Sequence, residues 1–527
     1  MKRHGAHTGC LNLRQATRAG ISRRLFNAWA AGGMAAAMLP AGADAQTTAK
    51  KGGVLRVAAN NNPSTLDPMT GRSGFDHPML YPMFDTLIEF DYDTLAAKPG
   101  IAKSWSFKDP TTLVLELNDG VSFHDGTKCD AAAVKFNLER SMTDARSAIK
   151  TDLGSVASVE VSGPLQVTLK LKAADSSLVL VLSDRAGMMV SPRAVQELGA
   201  GTDRKPVGTG PWSFVSWTDN AKLIVKRNDS YWRPGRPYLD GIEFQIIPEL
   251  NTGLRSVTAG ENDFVYSLAK PQLRVIERAA NLTAATSPTL IVHMIYFNMG
   301  RKPFNDVRVR QALNYAVDRE AFNQVTQDGE ATRAVLPKEH WAYDASLAAA
   351  YPYDPDKARK LLAEAGYPNG FELTCMGWND QKGIQRQEIL IEHFGKVGVK
   401  TKFFTASVAD STNQFMMDKR GDGYLGAFTG RPDPSLIFSR LFDPGSVINA
   451  GRVDPVPERA AAQAATQASD DIATRKKAFV TLQKIVSDNA LCLPITVQHD
   501  VTAYSKKITG YRPNLTGKPK LEDVSFV

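Results

Sequence analysis

Over the first half of the chain, apolar and polar residues alternate in short stretches. Leu113, Leu115 and Leu117 share one face of a strand predicted over 111–117, and Asn118-Asp119-Gly120 turns the chain behind it. Val167, Leu169 and Leu171 repeat that period after the Ser162-Gly163-Pro164 turn. Further strands are predicted over 53–59, 223–226 and 242–247. From about residue 300 the spacing becomes helical. Asp306 is placed to cap a helix carrying Val309, Leu313, Ala316 and Val317 on one face. Asp354 caps a second, with Pro355 in the first turn and Ala358, Leu361, Leu362 and Ala365 as its stripe; Gly366 and then Pro368 stop it. A third helix is predicted near 384–397 and a fourth near 474–486, the latter bearing Leu482, Ile485 and Val486. Strands interleave at 371–376, 400–405, 424–428 and 491–497. The chain therefore reads as a strand-rich first half, 46–290, followed by an α/β second half.

The first forty-five residues follow a different pattern. Ser22-Arg23-Arg24-Leu25-Phe26 precedes an apolar run from Ala28 to Leu39, and Ala43-Asp44-Ala45 closes it with small residues. This is a charged region, a short apolar region and a cleavage site of the signal-peptide kind. The apolar run is too short for the ~20 residues a membrane-spanning helix needs. Arg23-Arg24 with Phe26 resembles the twin-arginine export signal, although Asn27 and Ala28 depart from that pattern. No Cys follows the apolar run, so a lipid anchor is not indicated, and Cys10 would leave with the signal.

Composition changes this picture little. At 527 residues the chain is expected to hold more than one domain. Hydrophobic residues are 43% and charged residues 22%, which excludes a largely disordered chain and a multi-span membrane protein. The net charge of +8 owes much to Lys2, Arg3, Arg14, Arg18, Arg23 and Arg24; without residues 1–45 the excess is only +3. A basic nucleic-acid face is not supported. Cys129, Cys375 and Cys492 can form at most one disulfide, or none.

Candidate chemistry is sparse. His124-Asp125-Gly126 holds an acid and a base, but Asp-Gly after Val121 and Phe123 reads as a turn. Gly208-Thr209-Gly210-Pro211-Trp212 lacks the Lys-Ser/Thr end of a phosphate loop. No H-E-x-x-H, C-x-x-C or G-x-S-x-G occurs. His77, His124, His293 and His340 are scattered, and Asp354-Pro355-Asp356 reads as a capped helix start. No catalytic residue, metal site or cofactor is expected, and the chain is not expected to be an enzyme.

The blocks between these motifs carry more information. Val121–Gly126 is followed by Asp130 and by Val134-Lys135-Phe136-Asn137-Leu138-Glu139-Arg140. Pro206–Trp212, Trp217, Arg227–Trp232, Tyr238–Ile242, Gly260–Asp263 and Pro303–Leu313 come next in order. In order and spacing they resemble the family 5 extracellular solute-binding proteins of ABC importers, a family that includes periplasmic dipeptide- and oligopeptide-binding proteins. The resemblance covers essentially all of 46–527. The blocks themselves read as scaffold: turns, a helix cap and core aromatics.

The resemblance implies an α/β, two-lobed periplasmic-binding-protein fold, type II-like and of the large cluster C form. Residues 1–45 would be the signal peptide, 46–295 lobe I with a subdomain at about 82–207, 296–497 lobe II, and 498–527 a return to lobe I. Crossings near 293–298 and 493–500 would form the hinge. The implied function is capture of a peptide-like or anionic amino-acid-derived solute between the lobes and its delivery, unchanged, to a membrane permease. Implied partners are a small-molecule or short-peptide ligand and the ABC permease and ATPase subunits. The resemblance further implies that nucleic acid is not a partner, that contact with the inner-membrane complex is peripheral, and that the protein would be a periplasmic monomer. The alternatives are a non-transport receptor, scavenger or chaperone on the same fold, for a metal complex or haem, and a secreted enzyme adapted from it.

One loop departs from the peptide binders. In dipeptide-binding members an Asp after a central lobe II strand holds the peptide amino group. The matching loop here is Phe428-Thr429-Gly430-Arg431-Pro432-Asp433-Pro434, and Arg431 takes the place of that Asp. A guanidinium there favours an anionic group or a blocked amino end; the alternative is an internal pair with an acid such as Asp433. By the same resemblance Arg72 and Phe75, in a lobe I loop, and Trp378 and Asn379, after a lobe II strand, would contact the ligand.

Overall fold

The structure is a computed structural model that describes residues 50–71 and 73–527. The signal-peptide expectation and Cys10 lie outside the described residues, as does Arg72. Among the described residues no helix is long and apolar enough to cross a membrane.

The alternating stretches form the strands expected of them: Val54–Ala59, Thr112–Leu117, Gln166–Leu171, Lys222–Arg227 and Gly241–Ile246. In the second half, Asp306 accepts a hydrogen bond from the Arg308 N–H at 2.8 Å and starts the helix Val307–Ala316. Asp354 accepts from the Lys357 N–H at 2.9 Å and starts Pro355–Glu364. Helices Gln381–Gly395 and Ile472–Asp488 complete the predicted set.

An eleven-stranded sheet runs through both halves. On one side Lys400–Ala406, Glu372–Trp378 and Gly423–Thr429 lie parallel; on the other, Val54–Ala59 lies parallel between Gly241–Ile246 and Phe264–Leu268. Two long antiparallel strands, Leu282–Phe297 and Cys492–Ser505, join the two sides. Residues 282–288 pair with 499–505, and 292–296 with 492–497; the register shifts between Pro288 and Val292 and again between His293 and Met294. Proline lacks the N–H a ladder needs, so Pro288 fits such a break. The largest hydrophobic core takes its buried members from Val292 to Val497. A separate core lies under the four-stranded sheet of residues 102–171 and its helix Ala131–Thr143. A third packs around Trp212, Phe244 and Phe264.

The sequence blocks form the scaffold. A Cβ on Gly208 would stand 2.0 Å from the Met83 carbonyl oxygen, and one on Gly210 2.6 Å from that of Pro82, so only glycine fits this approach. The His124 ring lies 3.0 Å from the Gly210 carbonyl, which ties the His-Asp-Gly turn to that crossing. Tyr231 and Trp232 each donate to the buried Asp85 carboxylate at 2.8 Å. Cys129, Cys375 and Cys492 are buried and unpaired.

Candidate functional site

Where the two halves of the sheet meet, a cleft of about 540 Å³ opens. Its walls come from both sides: Ser73, His77, Asp152 and Arg185 from the first half, and Phe428–Arg431 and Arg440 from the second. The C-terminal segment adds Lys518 to the lining. There Asn514 accepts from the Thr516 N–H at 3.0 Å and its amide donates to the Lys518 carbonyl at 2.8 Å, folding 514–518 into a tight turn. Gly517 at φ +66° permits that turn, and a side chain there would meet Asp500 and Thr289. The Leu515 carbonyl accepts from the Leu290 N–H at 2.7 Å, which fixes the turn against the register break of the long strands. Lys518 is thereby held in the cleft wall.

The loop after strand Gly423–Thr429 carries Arg431 into the cleft. Its partner is not the neighbouring Asp433, which pairs with Arg475 at 2.8 Å. It is Asp184, across the cleft in the first half. Asp184 also accepts from the Arg185 N–H at 2.9 Å and lies 2.5 Å from His77 Nε2. Burial opposes ionisation of Asp184, but His77 and the charges of Lys518 and Arg431 outweigh it and hold the carboxyl well below its usual range. Burial, reinforced by the Lys518 charge, pushes His77 down to about 4. Arg185 pairs with Asp76 at 2.9 Å, and Arg440 pairs with Asp152 across the cleft.

Each cleft arginine therefore has its own carboxylate, whereas Lys518 has none within 4.0 Å among the described residues. It is half-buried, and burial pushes its ammonium down to about 8; Asp184 pulls it up while Arg431 and Arg185 push it further down.

Of the residues expected to meet a ligand, Arg431 lines the cleft. Phe75 is 55% exposed, next to the lining residue Gly74. Trp378 packs against the second-half core, donates to Tyr424 Oη at 2.6 Å and meets His293 edge-on; Asn379 is exposed, its N–H bonded to the Ala406 carbonyl. Neither contributes to the wall of this cleft. Sequence reasoning missed Asp184, His77 and Lys518 as site residues. Asn514–Lys518 did hold a signal, a turn-forming Asn with a Gly three residues on. Among the described residues no cluster of His, Cys, Asp or Glu is arranged to hold a metal ion.

A mixed sheet crossed by two long strands, with a polar cleft at the crossing, defines a two-lobed binding-protein fold. The model of the bacterial extracellular solute-binding proteins, family 5 Middle, matches residues 96–449, and the chain belongs to that family. The glutathione-binding protein GsiB of Escherichia coli K12 is 31% identical over 480 residues, covering 86% of this chain and 91% of GsiB. The fold matches the dipeptide-binding protein of Pseudoalteromonas sp. SM9913, solved with Met-Leu, at a TM-score of 0.77 and 23% identity over 90% of this chain and all of the other. It matches the A. tumefaciens R10 protein AgaA, solved with agropinic acid, at 0.78 and 22% identity over 90% and 99%. The chain is thus a periplasmic substrate-binding protein of an ABC transporter that works with a membrane permease.

Proposed function

We propose that the cleft captures a peptide-like or anionic amino-acid-derived solute and releases it chemically unchanged to the permease. The observation that carries this reading is the excess of cations, Arg185, Arg431, Arg440 and Lys518 against the single carboxylate of Asp152, lining one cleft between the halves. Arg431 directs one Nη at Asp184, which leaves other guanidinium donors for a carboxylate, and Phe75 supplies an exposed ring at the rim. The sizes agree, since small-molecule sites span roughly 300–1,000 Å³. The curated relative's name, glutathione-binding, and the agropinic acid bound by AgaA support an anionic amino-acid derivative. On this reading residues 46–295 and 498–527 form one lobe and 296–497 the other, residues 1–45 direct export by the twin-arginine route, and the protein works as a monomer.

Calorimetry and thermal unfolding of the mature protein with glutathione, Met-Leu and agropinic acid test this reading. A probe that binds should add ~2.7 kcal/mol of stability at a hundred times its Kd and be recovered intact. For a probe whose anion meets Arg431 out of water, Arg431→Ala should cost ~2–5 kcal/mol of affinity. Absence of binding by all three, or recovery of an altered probe, would overturn the reading.

A further inference from the structure

We propose that Lys518, on the C-terminal turn, is the charge that selects the solute's anionic group, a carboxylate in a peptide-like ligand. This rests on the solute-capture reading above and identifies which residue sets the charge preference.

Three observations converge on it. The first is the charge arrangement. Arg185, Arg431 and Arg440 are each matched by an acid, Asp76, Asp184 and Asp152 respectively. A matched pair already has a counter-ion and gains less from a second anion than a lone ammonium does. Lys518 lines the same cleft with no carboxylate within 4.0 Å among the described residues. A half-buried cation without a partner is costly, and an incoming carboxylate removes that cost.

The second is construction. The turn is fixed at both ends by Asn514, and Leu515 is hydrogen-bonded to Leu290 beside the register break. The position of Lys518 is therefore tied to the strands that join the two halves, and a ligand held by it and by Arg431 bridges them.

The third is the surroundings. Asp184 and Arg185 on one turn, His77 on the short helix His77–Leu80, and Arg431 from the opposite side are the charged and titratable groups acting on or beside Lys518, with Asp500 of the long strand packed against its neighbour Gly517. Burial, helped by the two arginines, outweighs Asp184 and brings the ammonium down to about 8. Above that pH the lysine loses its charge and with it the preference for an anion.

The test is calorimetry at pH 6.5, 7.5 and 9.5 on the wild type, Lys518→Met and Lys518→Arg. The probes are glutathione, Met-Leu, its C-terminal amide, agropinic acid and inorganic phosphate. Lys518→Met should weaken a carboxylate probe on the order of tenfold to a hundredfold at pH 6.5 and leave the amide unaffected. Wild-type affinity should fall between pH 7.5 and 9.5, and Lys518→Arg, which stays charged, should abolish that fall. Tighter binding of phosphate than of every carboxylate probe would overturn the carboxylate assignment. Unchanged affinity in Lys518→Met, or the same pH profile in wild type and Lys518→Arg, would overturn the role of Lys518 while leaving solute capture standing. Failure of the wild type to bind any organic probe would instead overturn the capture reading and this proposal with it. Should Lys518→Met fail to fold, the comparison of wild type with Lys518→Arg decides alone.

Discussion

Arg431 and Asp184 are 247 positions apart in sequence, yet they form an ion pair across the cleft. The Arg431 side chain keeps 23% of its exposure, so solvent screens part of the attraction. Removing either partner alone leaves a charge in a partly buried cleft, which costs more than the pair itself contributes. A double-mutant cycle of Arg431→Met and Asp184→Asn, read by urea unfolding, should therefore give a coupling of ~1–3 kcal/mol. A coupling near zero would show that the pair does not persist in solution. From the sequence, Arg431 was visible as a cation in a loop where the dipeptide binders carry an acid. Its partner was not visible. Nothing in Ser183-Asp184-Arg185 distinguishes that aspartate from any other, because its role arises only when the two halves of the chain meet.

At the scale of elements, the long strands and the C-terminal turn meet at Asp500. Burial pushes its carboxyl up to about 6, countered only in part by the hydrogen bond from Gln498 Nε2 at 2.8 Å. Between an ordinary aspartate value near 4 and about 6, the folded chain then holds more protons than the unfolded one. The contribution of this group to stability falls as pH rises through that window, by up to ~3 kcal/mol, against the opposite contribution of the buried His77. Relative to the wild type, Asp500→Asn should make the stability gained between pH 4.5 and 6.5 in urea unfolding larger by up to that amount; an unchanged difference between the two pH values would assign the effect elsewhere. The strand Leu282–Phe297 on which this junction depends was not legible beforehand. Thr283-Ala284-Ala285-Thr286-Ser287-Pro288 shows no apolar alternation and contains a proline. It extends because Cys492–Ser505 pairs with it from 282 to 288. The capped helices and alternating strands were legible because their signals are local: Asp354 with Pro355, or Leu113, Leu115 and Leu117 on one face.

Across the whole molecule, the two sides of the cleft are held together largely by polar contacts. Arg440 pairs with Asp152, the Gln467 amide donates to Asp175 at 2.9 Å, and the Ser176 N–H donates to the Gln467 carbonyl at 3.0 Å. Leu436, packed against the core of the 102–171 sheet, adds an apolar contact. Polar contacts of this kind exchange with water at little net cost, each contributing ~0.5–1.5 kcal/mol, so on the proposed reading separation of the halves uncovers the apolar contacts of Leu436 and Trp341 and otherwise trades polar contacts for water. A solute that touches both sides then shifts the population toward the closed form in proportion to its preference for that form. Removing two side-chain hydrogen bonds with Gln467→Ala, the bonds of its amide to Asp175 and Ser177 outside the cleft lining, should shift the open–closed equilibrium of unliganded protein by ~1–3 kcal/mol, roughly five- to a hundred-and-fifty-fold. Small-angle scattering should show a larger radius of gyration, and the affinity of a bound probe should fall by the factor by which the closed fraction falls. Weaker binding with an unchanged radius would mean that Gln467 touches the solute rather than holds the lobes. An increased radius with unchanged affinity would mean that the solute does not need the closed form, contrary to a cleft whose charges are divided between the two sides.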